Sequence, residues 1–200
     1  YVMNQESDKN INEILKLIKN KDFNIALIKI NKMIKNLPSY LYLYGLRGEI
    51  LFLTKKFDEA SDDLIKCIRD KTLRKRSLSI LGLVKTKKGD LQEAQEIYKK
   101  LLMEDKNNTS AHNNLGNIYS KIGKEVLSIH QYKKVLQIDP RHIGALKNLA
   151  RMYKKQRDLK KAICAYKDVL EISPRDSDAF KGIVRIYLDS NRINKAIGEI

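Results

Sequence analysis

The pattern of apolar and polar residues along this chain predicts short α-helices arranged in pairs. Apolar residues recur three or four positions apart, as they do on one face of a helix. The clearest example is the stretch from 109 to 142, TSAHNNLGNIYSKIGKEVLSIHQYKKVLQIDPRH. It contains two such helices, joined by a short turn and closed by Asp139-Pro140. We expect the other parts of the chain to repeat this helix pair.

A second, longer spacing runs through the whole chain without an insertion. The small residue that begins each second helix recurs at this constant interval as Ala26, Ala60, Ala94, Ser128, Ala162 and Ala196. The first helices carry another column of small residues, namely Gly48, Gly82, Gly116 and Ala150. All three prolines of the chain, Pro38, Pro140 and Pro174, share one further column. This regularity indicates a repeat protein, in which each helix pair packs against its neighbours.

The interval from one helix pair to the next resembles the period of the tetratricopeptide repeat family, which is about 34 residues. The resemblance covers residues 7–200 and is strongest at 109–142 and 143–176. It implies an all-α fold, a right-handed superhelical solenoid of antiparallel helix pairs. The predicted repeats are 7–40, 41–74, 75–108, 109–142, 143–176 and the truncated 177–200, and residues 1–6 are predicted to be a linker or the end of a preceding element. In this family, such solenoids are scaffolds for protein–protein interaction.

The first helix of each predicted repeat has one face left over for function. Positions 4, 7, 8 and 11 of the repeat form its core side, and positions 2, 5, 6, 9, 12 and 13 point the opposite way. In the tetratricopeptide repeat family, this second face lines a concave groove that holds peptides. In the second repeat the face is apolar and includes Leu46, whereas later repeats place amides and cations there. The residues predicted to bind a partner are Tyr42, Phe52, Asn113, Asn114, Asn117, Lys121, Lys147, Asn148, Arg151, Lys155 and Arg185.

These side chains suit an acidic or extended peptide. Amides can bond to a peptide backbone, and lysine and arginine pair with carboxylates. The set resembles the carboxylate clamp of the family, because Asn117 and Asn148 match its asparagines. The chain departs from the clamp at Asn113, which replaces a lysine, and at Asp178 and Gly182, which replace a basic pair.

The same face also fits two alternatives. Asn114 and Asn148 resemble the asparagine ladder known in some members of the family. An ordinary solvated helix face would also carry amides and lysines without binding any ligand.

The charge of the chain is strongly positive, with 40 Lys and Arg against 24 Asp and Glu and a net charge of +16. An excess of this size is typical of proteins with acidic or nucleic-acid partners. The charge is spread over all repeats, however, as it is in lysine-rich solvated helices. Binding of single-stranded nucleic acid needs exposed aromatic rings. Binding of this kind is disfavoured here because six tyrosines fall on core positions and are not expected to be exposed: Tyr98, Tyr119, Tyr132, Tyr153, Tyr166 and Tyr187.

The residue types of catalytic and metal sites do not occur at the required spacings. There is no nucleophile–base pair, glycine-rich phosphate loop or metal-ligand spacing, so we expect no cofactor, no metal and no catalysis by this stretch. His112 falls on a core position and is expected to pack there. Cys67 and Cys164 lie almost three repeats apart, as expected of free thiols in a reducing, cytoplasmic compartment. No apolar run of about 18 residues predicts a membrane span.

The two ends of the chain lead to further expectations. Tyr1 is not an initiator methionine and Ile200 stops inside a predicted helix, so we expect a piece of a longer protein. The alternatives to a free scaffold are therefore a targeting or regulatory arm of a larger enzyme or signalling protein, and a basic nucleic-acid-binding solenoid. Self-association is expected at the C-terminal end, where apolar side chains lack a following repeat to cover them. These side chains are Phe180, Ile183, Ile186 and Ile197.

Overall fold

A computed structural model describes residues 5–189 of the chain, with side chains from residue 7 onward. This part consists of helices and turns, with no strand, so the prediction of an all-α fold of successive helix pairs is confirmed. None of these helices is long and apolar enough to cross a membrane. They are α1 (Gln5–Lys19), α2 (Phe23–Asn36), α3 (Leu41–Leu53), α4 (Phe57–Cys67), α5 (Arg74–Lys88), α6 (Leu91–Glu104), α7 (Thr109–Lys121), α8 (Glu125–Ile138), α9 (Ile143–Lys155), α10 (Leu159–Ile172) and α11 (Ser177–Asp189).

The helices form two compact units, one with α1–α6 and the other with α7–α11. Within each unit the core lies between consecutive helices. In the first unit, Ile14 of α1, Ile30 of α2 and Leu43 of α3 share one buried cluster. In the second, Leu146 of α9 and Val169 of α10 share another with helix α11. Inside a unit, the apolar face of each amphipathic helix is thus covered by its neighbours in the chain.

The column of small residues at the start of the second helices lies in the core. Its members in the described part of the chain are all fully buried: Ala26, Ala60, Ala94, Ser128 and Ala162. Ser128 is the polar member, and its hydroxyl donates a hydrogen bond of 2.9 Å to the carbonyl oxygen of Gly116. Because that bond satisfies the hydroxyl, serine can replace alanine here without leaving a buried polar atom unpaired. Ala196 lies outside the described residues.

The first helices of the second unit begin at a column of capping side chains. Asn108, His142 and Asp176 follow one another at the length of one repeat. Each accepts a hydrogen bond from the backbone three positions later, at 2.9, 3.0 and 2.9 Å. These side chains satisfy backbone N–H groups that would otherwise lack a partner at the start of α7, α9 and α11. Each of these helices therefore begins at a capped, fixed position.

The turn inside each pair contains one residue in the left-handed conformation. The backbone N–H of the next residue then bonds to the carbonyl five positions back, as in Lys124 to Tyr119 at 2.8 Å and Asp158 to Tyr153 at 2.9 Å. This is the helix-ending bond of a Schellman motif. Only glycine adopts the left-handed conformation without strain. The residues of this column are Lys21 (φ 65°), Lys55 (φ 63°), Gly89 (φ 93°), Gly123 (φ 76°) and Arg157 (φ 63°).

We predict that Arg157→Gly stabilises the protein. Removing the strain of a left-handed arginine raises the free energy of unfolding by about 1–2 kcal/mol. The greater freedom of glycine in the unfolded chain lowers it by about 0.5–1 kcal/mol. The expected result is a gain of about 0.5–1 kcal/mol in the free energy of unfolding, measured by urea denaturation. Gln156→Gly is the matched control, because Gln156 has an ordinary φ of −78° and should lose stability. Equal losses in both variants would show that the left-handed arginine carries no strain.

One expectation about the C-terminal end is wrong. Ile183 and Ile186 are buried rather than exposed, because they pack against Tyr166 and Val169 in the core of the second unit. Phe180 is half-buried, and Ile197 lies outside the described residues. Self-association through this end stays a prediction, without these two isoleucines to support it.

The two thiols and most of the tyrosines lie where the repeat register predicts them. Cys67 is buried and Cys164 is exposed, and both are free. Burial raises the pKa of Cys67 to about 11, so its sulfur stays a thiol and donates to the carbonyl oxygens of Leu41 and Asp63. Four of the six predicted core tyrosines are buried, whereas Tyr153 and Tyr187 are only partly so.

Candidate functional site

The predicted partner-binding residues divide between the two units. Tyr42 and Phe52 belong to the first unit, and the other nine belong to the second. The two groups are therefore separate candidate surfaces.

In the first unit, the apolar residues of α3 are partly used in packing. Tyr42 is half-buried, with its ring centroid 6.0 Å from that of Tyr40. The ring centroid of Phe52 lies 6.2 Å from that of Phe57. The repeat register predicts Leu46 on the exposed face, but it is buried in the core of this unit. The reason is that α3 is apolar around most of its circumference, so its sequence pattern does not tell the core side from the other side.

In the second unit, three asparagines from two helices are joined through one amide. Asn148 of α9 donates through Nδ2 to Oδ1 of Asn117 at 2.9 Å and to Oδ1 of Asn113 at 3.2 Å. Both acceptors lie on α7, so the amide of Asn148 bridges two consecutive first helices. Asn114 is half-buried and lies outside this set, because the asparagines that Asn148 contacts are Asn113 and Asn117.

Tyr132 holds the side chain of Asn117 in place through a hydrogen bond. Its ring is buried against Gly116, and its hydroxyl donates a hydrogen bond of 2.8 Å to Oδ1 of Asn117. Burial raises the pKa of Tyr132, so the hydroxyl stays protonated and remains a donor. The repeat register places this tyrosine in the core but does not show that its hydroxyl reaches the opposite side. The sequence feature that could indicate this hydrogen bond is an asparagine and a tyrosine 15 residues apart in one repeat.

Arg151 extends the same network toward solvent. Its Nη2 donates to Oδ1 of Asn148 at 3.0 Å, one helical turn earlier on α9. Its side chain is exposed, and no carboxylate of the described chain lies within ion-pair distance of it. We call Asn113, Asn117, Asn148 and Arg151 the amide–arginine cluster.

The lysines of α9 differ from this arginine because all three are paired. Lys147 lies 3.1 Å from Asp176 and 2.8 Å from Asp178. Hydrogen bonding to Asp178, followed by Asp176, raises the pKa of Lys147. Lys155 lies 2.9 Å from Glu125 and Lys154 lies 3.1 Å from Asp189. The expectation that Lys147 and Lys155 offer open cations is therefore corrected: intramolecular carboxylates already hold them.

The remaining predicted residues of the second unit are Lys121 and Arg185. Both are exposed, and neither has an ion-pair or hydrogen-bond partner among the residues that the structure describes. His112 is half-buried, with its ring nitrogens 2.7 Å from Oε1 of Gln131 and 3.0 Å from the carbonyl oxygen of Lys106. His112 is thus only partly buried at the core position predicted for it. In residues 5–189, no group of three metal-ligating side chains occurs.

The first unit also contains a polar cluster that the sequence pattern does not predict. Arg47 of α3 makes a two-pronged ion pair with Asp63 of α4, at 2.6 and 2.8 Å, and also donates to Asn31 of α2 at 2.7 Å. The side chain of Asp63 is only 3% exposed. The ring of Tyr44 lies 5.3 Å from the guanidinium of Arg47 and 4.7 Å from Nζ of Lys66. A cleft of about 280 Å³ lies beside the pair.

The signal for this cluster is in the repeat register. Arg47 and Asp63 occupy columns that hold Leu81 and Ile97 in the next repeat. In the preceding repeat the same two columns also hold charged residues, but with the negative residue first and the positive residue second. There Glu13 and Lys29 also pair, at 2.6 Å.

Comparison with known proteins agrees with this architecture. Residues 76–108, 109–142 and 145–180 each match the sequence pattern of the tetratricopeptide repeat. The small glutamine-rich tetratricopeptide repeat-containing protein 2 of Saccharomyces cerevisiae is 35% identical over 97 residues. That match covers 48% of this chain and 28% of the yeast protein, so the chain spans less than a third of that relative.

Two solved structures have folds similar to this chain at low sequence identity. YrrB, a TPR protein with an unusual peptide-binding site, has a TM-score of 0.70 at 22% identity, over 86% of this chain and 89% of that one. PilW, a type IV pilus biogenesis factor, has a TM-score of 0.82 at 20% identity, over 98% of this chain and 91% of that one. At these identities the similarity shows the fold alone.

Proposed function

The chain belongs to the tetratricopeptide repeat family, and we propose that its second unit binds an acidic, extended segment of a partner protein over α7, α9 and α11. Repeats of this family are scaffolds for protein–protein interaction, and YrrB has a peptide-binding site on the same fold. The observation that carries the acidic character is Arg151. It is the one cation of α9 without a carboxylate partner in the described chain, and an amide holds it in place.

The guanidinium of Arg151 is oriented but not saturated. It has five N–H donors in a fixed plane, and the structure uses Nη2 for Asn148 and Nε for a longer contact of 3.4 Å to the carbonyl of Lys147. Free donors remain for a carboxylate, which arginine binds through two parallel bonds. Because Asn148 already restricts the side chain, less conformational entropy is lost when the ligand binds.

The asparagines are proposed to hold the backbone of the bound segment. The Oδ1 atoms of Asn113 and Asn117 accept bonds from within the cluster. Their own Nδ2 groups have no acceptor in the part of the chain that the structure describes. An extended peptide presents carbonyl oxygens at regular intervals, and amide N–H groups are suitable donors to them.

We also propose that this part of the protein acts by binding and not by catalysis, in a reducing compartment such as the cytoplasm. The free thiols of Cys67 and Cys164 support the compartment. No set of side chains in the amide–arginine cluster supplies a nucleophile with its base.

Charge reversal at Arg151 tests this proposal. Arg151→Glu is expected to weaken binding of a capped peptide of four glutamates in a glycine–serine background by about tenfold or more. The side chain is exposed, so the melting temperature should not change. Fluorescence anisotropy of the labelled peptide at fixed salt is the measurement.

Lys133→Glu is the matched control, because Lys133 is an exposed cation on α8 and lies outside the cluster. We expect it to change the affinity less than about twofold, the effect of a distant screened charge. If both reversals weaken binding equally, the attraction is diffuse and the proposed site is wrong.

A further inference from the structure

Three apolar side chains are exposed where α7 ends and α8 begins. Ile122 directly follows α7, and Val126 and Leu127 lie in the first turn of α8. Their exposed fractions are 41%, 75% and 42%. Single exposed apolar residues are common on protein surfaces, but three within six positions form a patch.

The same three places are polar or charged in other repeats of the chain. They hold Thr54, Asp58 and Glu59 in repeat 41–74, Lys88, Gln92 and Glu93 in repeat 75–108, and Gln156, Lys160 and Lys161 in repeat 143–176. Each of these repeats forms the same helix pair. Packing within the pair therefore does not explain the apolar side chains of repeat 109–142.

Lysines lie beside the three apolar side chains. Lys133 and Lys134 follow Val126 and Leu127 by two helical turns, so they lie on the same side of α8. Lys124 lies in the turn before α8. All three lysines are exposed, and none has a carboxylate partner in the part of the chain that the structure describes. Their charge is therefore open to a ligand.

The one carboxylate of this stretch is already paired. It belongs to Glu125, whose Oε1 lies 2.9 Å from Nζ of Lys155. The surface thus combines apolar side chains with unpaired positive charge. We call Ile122, Lys124, Val126, Leu127, Lys133 and Lys134 the apolar–lysine face.

The composition of this face favours one kind of occupant. A stable protein–protein contact buries about 800 Å² on each partner, more than three side chains at one turn supply. The phosphates of a nucleic acid would pair with the lysines but offer no contact to Val126 and Leu127. An anionic lipid bilayer offers both, because its phosphates attract lysines and its acyl boundary accepts apolar side chains.

We propose that the apolar–lysine face binds the surface of an anionic lipid bilayer. Ile122, Val126 and Leu127 insert at the boundary between headgroups and acyl chains, and the lysines pair with lipid phosphates. This face lies on α8 and the turn before it, whereas the amide–arginine cluster lies on α7 and α9. Lipid binding and peptide binding can therefore be tested separately.

Sedimentation of the intact chain with vesicles tests this proposal. Vesicles of equal parts phosphatidylcholine and phosphatidylglycerol are expected to bind the chain at least about tenfold more tightly than phosphatidylcholine alone. Val126→Gln is expected to lower partitioning into the anionic vesicles about tenfold at unchanged net charge. Met103→Gln is the matched control and should leave partitioning unchanged, because Met103 is 71% exposed on α6 beside the carboxylate of Glu104.

Two pairs of lysines distinguish a defined face from diffuse attraction. Lys133→Gln with Lys134→Gln is expected to weaken partitioning into the anionic vesicles by about tenfold or more. Lys99→Gln with Lys100→Gln is the matched control, because these exposed lysines occupy the same two places on α6, one repeat earlier. We expect it to change partitioning less than about twofold.

Insertion has a readout of its own. The chain contains no tryptophan, so Val126→Trp adds a single fluorescent reporter. Its emission is expected to shift to shorter wavelengths when anionic vesicles are added, because the ring leaves water for the acyl boundary. Met103→Trp should show no such shift.

Several outcomes would overturn the proposal. Absence of sedimentation with anionic vesicles would refute it outright. Equal losses in the two lysine pairs would show diffuse attraction, and an unshifted emission of vesicle-bound Val126→Trp would show attraction without insertion. Tighter binding of a short oligouridylate, insensitive to Val126→Gln, would assign the lysines to nucleic acid. None of these outcomes depends on Arg151, so the proposed function would stand.

Discussion

Replacing Arg47 with leucine is expected to lower the free energy of unfolding by about 3–5 kcal/mol, the cost of leaving one member of a buried ion pair alone. The partner Asp63 is 3% exposed and would keep only Lys66, at 3.4 Å. A leucine side chain cannot replace the two hydrogen bonds that Arg47 donates to this carboxylate. Urea denaturation followed by circular dichroism is the measurement.

Two further variants separate the ion pair from the packing. The double change Arg47→Leu with Asp63→Ile recreates the apolar pair that Leu81 and Ile97 form in the next repeat. We expect it to recover most of the loss, because apolar replacements of a whole buried pair are often neutral. Lys88→Leu breaks an exposed pair with Asp58 and should cost less than about 1 kcal/mol. If the double variant is no more stable than Arg47→Leu alone, the unpaired carboxylate is not the cause.

Replacing Gly116 with alanine is expected to lower the free energy of unfolding by about 1–3 kcal/mol through overpacking. A Cβ atom at this position would lie 2.6 Å from the ring of Tyr132. That ring is 2% exposed, and its hydroxyl is bonded to Asn117, so it cannot move without disturbing the amide–arginine cluster. The variant should therefore lose peptide affinity as well as stability.

Gly45→Ala is the control for the general effect of alanine in a helix. Its Cβ would meet only Sγ of Cys67, at 3.7 Å, which is an ordinary contact. Alanine is about 1 kcal/mol more favourable than glycine inside a helix, so this variant should be more stable than the parent. An unchanged melting curve for Gly116→Ala would contradict the close packing of Tyr132.

The fold can be predicted from the sequence because its determinants lie in periodic columns. Helix positions follow from the spacing of apolar residues, and the helix pair follows from the regular recurrence of Ala60, Ala94 and their equivalents. The left-handed column is harder to predict. Two of its members are glycines, but Lys55 and Arg157 carry no such signal in their identity.

The site can be predicted in part. The repeat register places Asn117, Asn148 and Arg151 on the same side of the first helices, and the structure joins them by hydrogen bonds. It does not show which cations are open. That depends on whether a carboxylate of the next repeat reaches each side chain, as Asp178 does for Lys147. Such ion pairs depend on the conformations of long, flexible side chains, and the position in the repeat does not determine those conformations.

The prediction for Leu46 fails for a related reason. A helix with a mixed face shows its core side by contrast with polar residues, and α3 offers almost no contrast over LYLYGL. The repeat pattern predicts exposed side chains at Ile183 and Ile186, but both are buried against the helices that precede them. Packing within the second unit is therefore more complete than a count of repeats suggests.

Binding of an acidic segment over the amide–arginine cluster is tested most directly by nuclear magnetic resonance of the ¹⁵N-labelled chain, titrated with the capped peptide of four glutamates. We predict saturable shifts of the side-chain amide signals of Asn113, Asn117 and Asn148 and of the Nε signal of Arg151. Shifts concentrated around Lys133 and Lys134 on α8, with the three asparagine signals unmoved, would contradict this binding site.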